Sequence, residues 1–223
     1  GIYMTAGELT DCYGYSAAVG GIDCYGGSMR NCVGFGGGSV GLTVNGGAVI
    51  AINCTGYSIA GAGISGSSSL MFNCTGYSTA SAGISLVNGT MYDCLGYSSV
   101  GNGIYSWNSG VAVSEVRSCK AISTAAVALY MNNTTAGCKI YNTEAYSKWN
   151  NALGHGVVVA GSNTEIVQCT IEVTNASANA INAASALTTK YANNAFKGST
   201  TPINANITQS IINTHDNQGN ILV

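Results

Sequence analysis

The chain has 223 residues, is 46% hydrophobic but only 7% charged, and carries a formal net charge of -2. Seven scattered Lys and Arg form no basic patch, which argues against a nucleic-acid partner. No apolar run approaches the ~18 residues of a membrane-crossing helix, so no membrane role is expected.

Taken in order, the sequence repeats one phrase. It appears weakly as Asp11-Cys12-Tyr13-Gly14-Tyr15-Ser16 and Asn31-Cys32-Val33-Gly34-Phe35, then clearly from Asn53, Asn73 and Asp93 through Ser58, Ser78 and Ser98. Remnants stand at Ser118-Cys119 and at Asn142 to Ser147. A period of about 20 to 25 residues marks stacked coils, none of which can bury its apolar face alone.

Each coil opens on an apolar landmark, usually after Gly: Ile2, Ile22, Leu42, Ile64, Ile84 and Ile104, then Leu129, Val157, Ile181 and Ile203. Period-two alternation from there predicts a short strand. Met4, Cys24, Val44, Gly66, Leu86, Ser106 and Met131 point inward, and Tyr3, Asp23, Thr43, Ser65, Ser85, Tyr105 and Tyr130 outward. A second strand follows, with Leu9, Met29, Ala51, Met71, Met91, Val116, Ile140 and Ile166 as its inward row.

Asp11, Asn31, Asn53, Asn73, Asp93, Ser118 and Asn142 close that strand, and Asn and Asp suit a left-handed bend. They are read as a structural ladder, which makes Asp11 and Asp93 poor catalytic candidates. Polar and glycine-rich turns cut every run to a few residues, so the chain is expected to be nearly all β. Its core is expected to include Ile64, Ile84, Met71, Met91, Cys54, Cys74 and Cys94.

Of the nine cysteines, Cys12, Cys32, Cys54, Cys74 and Cys94 recur at one place in successive coils. Stacked ~4.8 Å apart with parallel Cβ vectors, they are poorly placed for bridging and are expected to be buried, reduced and small-hydrophobe-like. With two His and no CxxC, no metal and no cofactor are expected. The tyrosine row Tyr15, Phe35, Tyr57, Tyr77, Tyr97 and Tyr146 reads as a stacking ladder.

The motif apolar-x-Asn-Cys followed ten residues later by Gly-Ile resembles the right-handed parallel β-helix repeat of pectate-lyase-like proteins. That resemblance implies a single all-β solenoid with three short strands per coil and the Asn bend between the second and third. Nine or ten coils would make a rod of about 45 Å. Residues 1–188 would form regular coils, and 189–223 the last coils and an exit segment. Lyases, hydrolases, epimerases and adhesive spikes share this fold.

The segments Asn194 to Ile203 and Ser210 to Leu222 resemble the ends of β-helix domains in bacteriophage tailspikes and tail fibres. This resemblance implies a homotrimer that recognises, and often cleaves, a bacterial surface polysaccharide. It places the protein in the virion tail, assembled with reduced cysteines in the host cytoplasm. An uncharged outer surface also suits an oligomer better than a lone rod. The opening at Gly1-Ile2, already in register and uncapped, suggests that further chain precedes it. A free-standing, secreted polysaccharide lyase or hydrolase and a ligand-free shaft or adhesin segment remain the alternatives.

Loop length points to where function sits. The step from cysteine to next landmark is constant at ten residues through Ile104, whereas the step from landmark to cysteine grows to fifteen between Ile104 and Cys119. Variable loops on a regular scaffold are where binding usually lives. These insertions hold Tyr105-Ser106-Trp107-Asn108 and Tyr130-Met131-Asn132-Asn133, and next to them stands the outward row Phe72, Tyr92, Arg117 and Tyr141, whose aromatics, with Trp107, are candidates to stack on a sugar while Arg117 hydrogen-bonds it. The same stripe would serve equally as an interface between chains.

Glu115 and Glu165, two coils apart and so ~9.6 Å, are the candidate catalytic pair, a spacing near that of inverting hydrolases. The competing reading makes Glu115, Lys139 and Glu165, and Lys120 and Glu144, surface ion-pair ladders. Glu172 and Asp23 receive no role. His155, alone between glycines, is expected to be a solvated loop residue.

Overall fold

The computed structural model describes residues 1–47, 49–108, 113–133, 137–161, 163–183, 187–200, 203 and 207–211. Three parallel sheets wind into one right-handed solenoid. Sheet A has nine strands from Ile2–Met4 to Ile181–Ala183, sheet B has ten from Glu8–Thr10 to Ile207–Ile211, and sheet C has nine from Tyr13–Ser16 to Ala195–Lys197. From Ile2 to Ile181 this makes about eight complete turns, slightly fewer than the nine or ten expected.

Register confirms the reading of the rows. Ile64 lies between Leu42 and Ile84, Met71 between Ala51 and Met91, and Tyr77 between Tyr57 and Tyr97. The interior is a continuous column of Ile22, Leu42, Ile64, Ile84, Ile104 and Leu129 packed against Met29, Met71, Met91, Val116 and Ile140.

The bend between sheets B and C turns on a left-handed residue in every coil, from Asp11 at φ 52° through Asn73 at 49° to Asn142 at 49°. Asn pays little for that conformation, and its amide adds a bond between coils. Asn31 donates to Asp11 at 2.9 Å, Asn53 to Asn31 at 3.3 Å and Asn73 to Asn53 at 3.0 Å. The turn from C back to A is fixed by serine. Ser78 Oγ donates to the Gly61 carbonyl of the preceding coil at 2.7 Å and accepts the Ser81 N–H at 2.8 Å.

Beside the Asn ladder lie Cys12, Cys32, Cys54, Cys74, Cys94, Cys119 and Cys169, none in a disulfide and, apart from the half-buried Cys12, all buried. They do more than fill space. The thiols of Cys54, Cys74, Cys94 and Cys119 donate to the carbonyl two residues back at 3.0–3.3 Å. In turn, the N–H groups of Cys74 and Cys94 donate to the sulfur one coil on, each at 3.4 Å.

Thr143 and Asn194 occupy the same row and accept from Cys119 and Cys169 at 3.4 and 2.8 Å. The position therefore selects a small side chain that hydrogen-bonds, a requirement of any buried N–H. Burial pushes the Cys32 and Cys169 thiols up to about 11. Cys94 reaches about 12, where the thiol bond with Cys119 and burial outweigh an opposing bond with Cys74.

Candidate functional site

On sheet B, Phe72, Tyr92, Arg117 and Tyr141 fall in one row, and Glu115, Lys139 and Glu165 in a parallel row two residues earlier. Most of this surface is self-engaged. The Phe72 and Tyr92 rings stack at 5.2 Å with planes 9° apart, and the Arg117 guanidinium lies 4.5 Å over Tyr141. Ring faces in such a stack are largely taken by their neighbours.

Arg117 Nε donates to Glu115 on its own strand, and the Tyr141 hydroxyl donates to Glu165 Oε2 at 2.5 Å. Burial, then this bond to Glu165, pushes Tyr141 up to about 12, so the hydroxyl keeps its proton. The two candidate catalytic acids thus face one way with Lys139 between them, each already holding a partner.

Trp107 does not join this row. It lies on sheet A, in the strand Ile104–Asn108, between Val87 and Asn132 of the adjacent coils. The segment 109–112, one of the insertions expected to carry binding, separates it from sheet B and lies outside the described residues, as does 134–136. Trp107 is 39% exposed. Among the described residues no other ring and no cation stacks on it, unlike the rings of sheet B.

Two residues upstream, Tyr105 stacks on Tyr130 at 5.5 Å, and its hydroxyl accepts from Asn132 Nδ2 at 3.4 Å. Tyr105 also forms one wall of a hollow of about 420 Å³ whose other walls include Ser81, Ser85 and Asn102. This face therefore combines an open aromatic ring, a concavity, and neutral hydroxyl and amide groups.

Sheet C carries the tyrosine ladder as expected. Tyr15 stacks on Phe35 at 5.2 Å and Tyr57 on Tyr77 at 5.0 Å, and the stack loosens to a 51° tilt at Tyr97, where Ile122 succeeds it. A largely apolar groove of about 280 Å³ runs beside these rings, past Ile59 and Thr79. Farther along, Lys120 pairs with Glu144 at 2.9 Å and Lys197 with Glu172 at 3.1 Å.

His155 corrects the expectation of a solvated loop residue. It is buried, its Nδ1 accepts the Asn179 N–H at 3.0 Å, and burial pushes its pKa down. It serves the turn that leads into the strand Val157–Val159 as a neutral acceptor.

Comparison with protein-family models, curated proteins and solved structures finds no match for this chain. The tail segment that resembles tail fibres runs through Thr201, Pro202 and 212–223, which lie outside the described residues. The hollow at Ser81, Ser85 and Asn102 escapes sequence reading because Ser and Asn also fill ordinary turns. The hydrogen-bonding role of the cysteine row does leave a signal, the substitution of Thr143 and Asn194 within it.

Proposed function

We propose that this chain is a glycan-recognising β-solenoid, a bacteriophage tailspike or tail-fibre domain that binds a bacterial surface polysaccharide as a homotrimer in the virion tail. The observation that carries the reading is the partly exposed Trp107 ring, on which no other ring stacks among the described residues, set two residues from Tyr105 and its polar hollow. A rigid aromatic offers a sugar a large contact area with little rotamer entropy to lose. The sequence resemblance supports the phage setting.

The self-stacked row of Phe72, Tyr92, Arg117 and Tyr141 is assigned to contact between chains, since it presents ring edges and paired charges rather than open faces. Recognition is favoured over cleavage, because Glu115 and Glu165 are each engaged by a neighbour. Depolymerisation would require both to be released from Arg117 and Tyr141.

Binding of capsular or O-antigen polysaccharide, measured beside release of reducing ends, tests the reading. Retention of the polysaccharide without new reducing ends is expected, and failure to retain any glycan would reject recognition. Sedimentation tests the assembly, where a stable monomer at micromolar concentration would reject the trimer.

A further inference from the structure

Building on glycan recognition, we infer that the ligand of the Trp107 face is an uncharged glycan segment, lying along the strand Ile104–Asn108 from the Asn102 hollow to Trp107. Charge placement carries the argument. The strands of sheet A contain a single charged residue, Asp23. It stands four coils from Tyr105 in register, so about 19 Å from the coil that carries Trp107 and beyond the ~8 Å screening length of physiological salt.

The flanking elements add little charge. Glu115, across the turn to sheet B, is neutralised by Arg117. His155, in the turn into the strand Val157–Val159 two coils on, is held toward its neutral form by burial. Among the described residues the further cations of these flanks are Lys139, beside Glu115 on sheet B, and Lys148, on the same turn as His155 and exposed to solvent.

An acidic sugar brings carboxylate or sulfate groups that lose hydration on binding and need a charged partner to replace it. This face supplies none. It supplies Ser81, Ser85, Asn102, Asn132 and two tyrosine hydroxyls, groups that both donate and accept, which is the chemistry of sugar hydroxyls. From Ile104 to Trp107 the strand covers about 10 Å, room for about two sugar rings. The exposed Trp107 closes one end and the hollow the other.

The test uses the full chain on immobilised neutral glycans (dextran, mannan, galactan, β-glucan) and acidic ones (alginate, hyaluronan, polysialic acid), in about 0.05 M and about 0.5 M NaCl. The expected result is retention on at least one neutral glycan, with affinity changed less than about twofold by salt. Trp107→Ala should weaken that binding about tenfold or more, Trp107→Phe should recover most of it, and Lys197→Ala should leave it unchanged. Retention of the far-ultraviolet spectrum separates lost binding from lost fold.

Binding of acidic glycans alone, falling steeply with salt, would overturn the inference and leave glycan recognition standing. Neutral binding undiminished in Trp107→Ala would likewise overturn this location. No retention on any glycan would overturn both.

Discussion

The solenoid has two unlike halves. Through Cys94 successive coils are 20 to 22 residues long, carry Gly in the inward row of sheet C, and stack Asn on Asn and ring on ring. Beyond it the coils lengthen to 24 to 26 residues, Ala121, Ala145 and Ile171 replace the glycines, and the ring row of sheet C is interrupted as Ile122, Tyr146 and Glu172 succeed Tyr97 beside the Lys120–Glu144 pair. The first half repeats because every position answers to the coil above it. The second half relaxes that demand, and the hollow, Trp107 and the carboxylates gather where it begins.

The glycine row should separate the halves most sharply. A Cβ on Gly76 would meet the Gly83 carbonyl oxygen at 2.2 Å and Ile84 Cγ1 at 2.8 Å, and backbone cannot yield as a side chain can. Gly76→Ala is expected to cost about 3 kcal/mol, whereas Ala121→Gly, its counterpart in the looser half, should cost about 1 kcal/mol. Urea denaturation measures both, and equal costs would erase the distinction.

Next comes the Asn ladder. Asn53 holds φ 53° and bonds to both neighbours. Asn53→Ala should lose about 2 kcal/mol from left-handed strain and two hydrogen bonds together. Asn53→Gly removes the strain and should lose less, so the difference between the two isolates the backbone contribution.

The cysteine row offers a finer test. Cys74→Val keeps volume but removes the thiol's bond to the Phe72 carbonyl and the sulfur acceptor of the Cys54 N–H, and should cost about 1–2 kcal/mol. Cys74→Thr, copying Thr143, should cost about half as much or less. The pH dependence follows with a definite sign. Cys32, Cys94 and Cys169 hold their protons to about 11 or 12 in the fold, while the unfolded chain loses them near pH ~8.5. The unfolded state therefore binds fewer protons above that point, so stability is complete below pH ~8.5 and falls as pH rises toward 11, by up to about 1.4 kcal/mol per pH unit for each thiol. Alkaline denaturation of the wild type beside Cys94→Thr measures that slope.

Much of this was legible in the sequence. Phase and register follow from Asn-Cys and Gly-Ile because each row meets its own copy one coil on, so an error at one position would be repeated in all. The placement of Trp107 was not legible. Loop-length reasoning put it inside an insertion next to Arg117 and Tyr141, whereas it lies within the strand Ile104–Asn108 of sheet A, across a corner from sheet B, and no periodicity encodes a corner angle. The burial of His155 escaped for a related reason: a unique turn has no second copy to reveal which way it faces.

The smallest expected effect belongs to the surface pairs of the second half. Lys197 and Glu172 meet at 3.1 Å with side chains 76% and 38% exposed. Lys197→Ala should shift stability by less than about 0.5 kcal/mol, and a larger loss would mean that charge holds the second half as packing holds the first.

The most direct measurement is glycan affinity in two variants that each remove one ring, Trp107→Ala from the second half and Tyr57→Ala from the ladder of the first. Tyr57 and Trp107 are equally exposed, at 40% and 39%, but Tyr57 gives a ring face to Tyr77 with planes 8° apart, whereas among the described residues no ring stacks on Trp107. The account predicts about a tenfold or greater loss of affinity in Trp107→Ala and unchanged affinity, with lowered stability, in Tyr57→Ala. Loss of binding in Tyr57→Ala with Trp107→Ala unaffected would contradict it and move the sugar to the groove of sheet C.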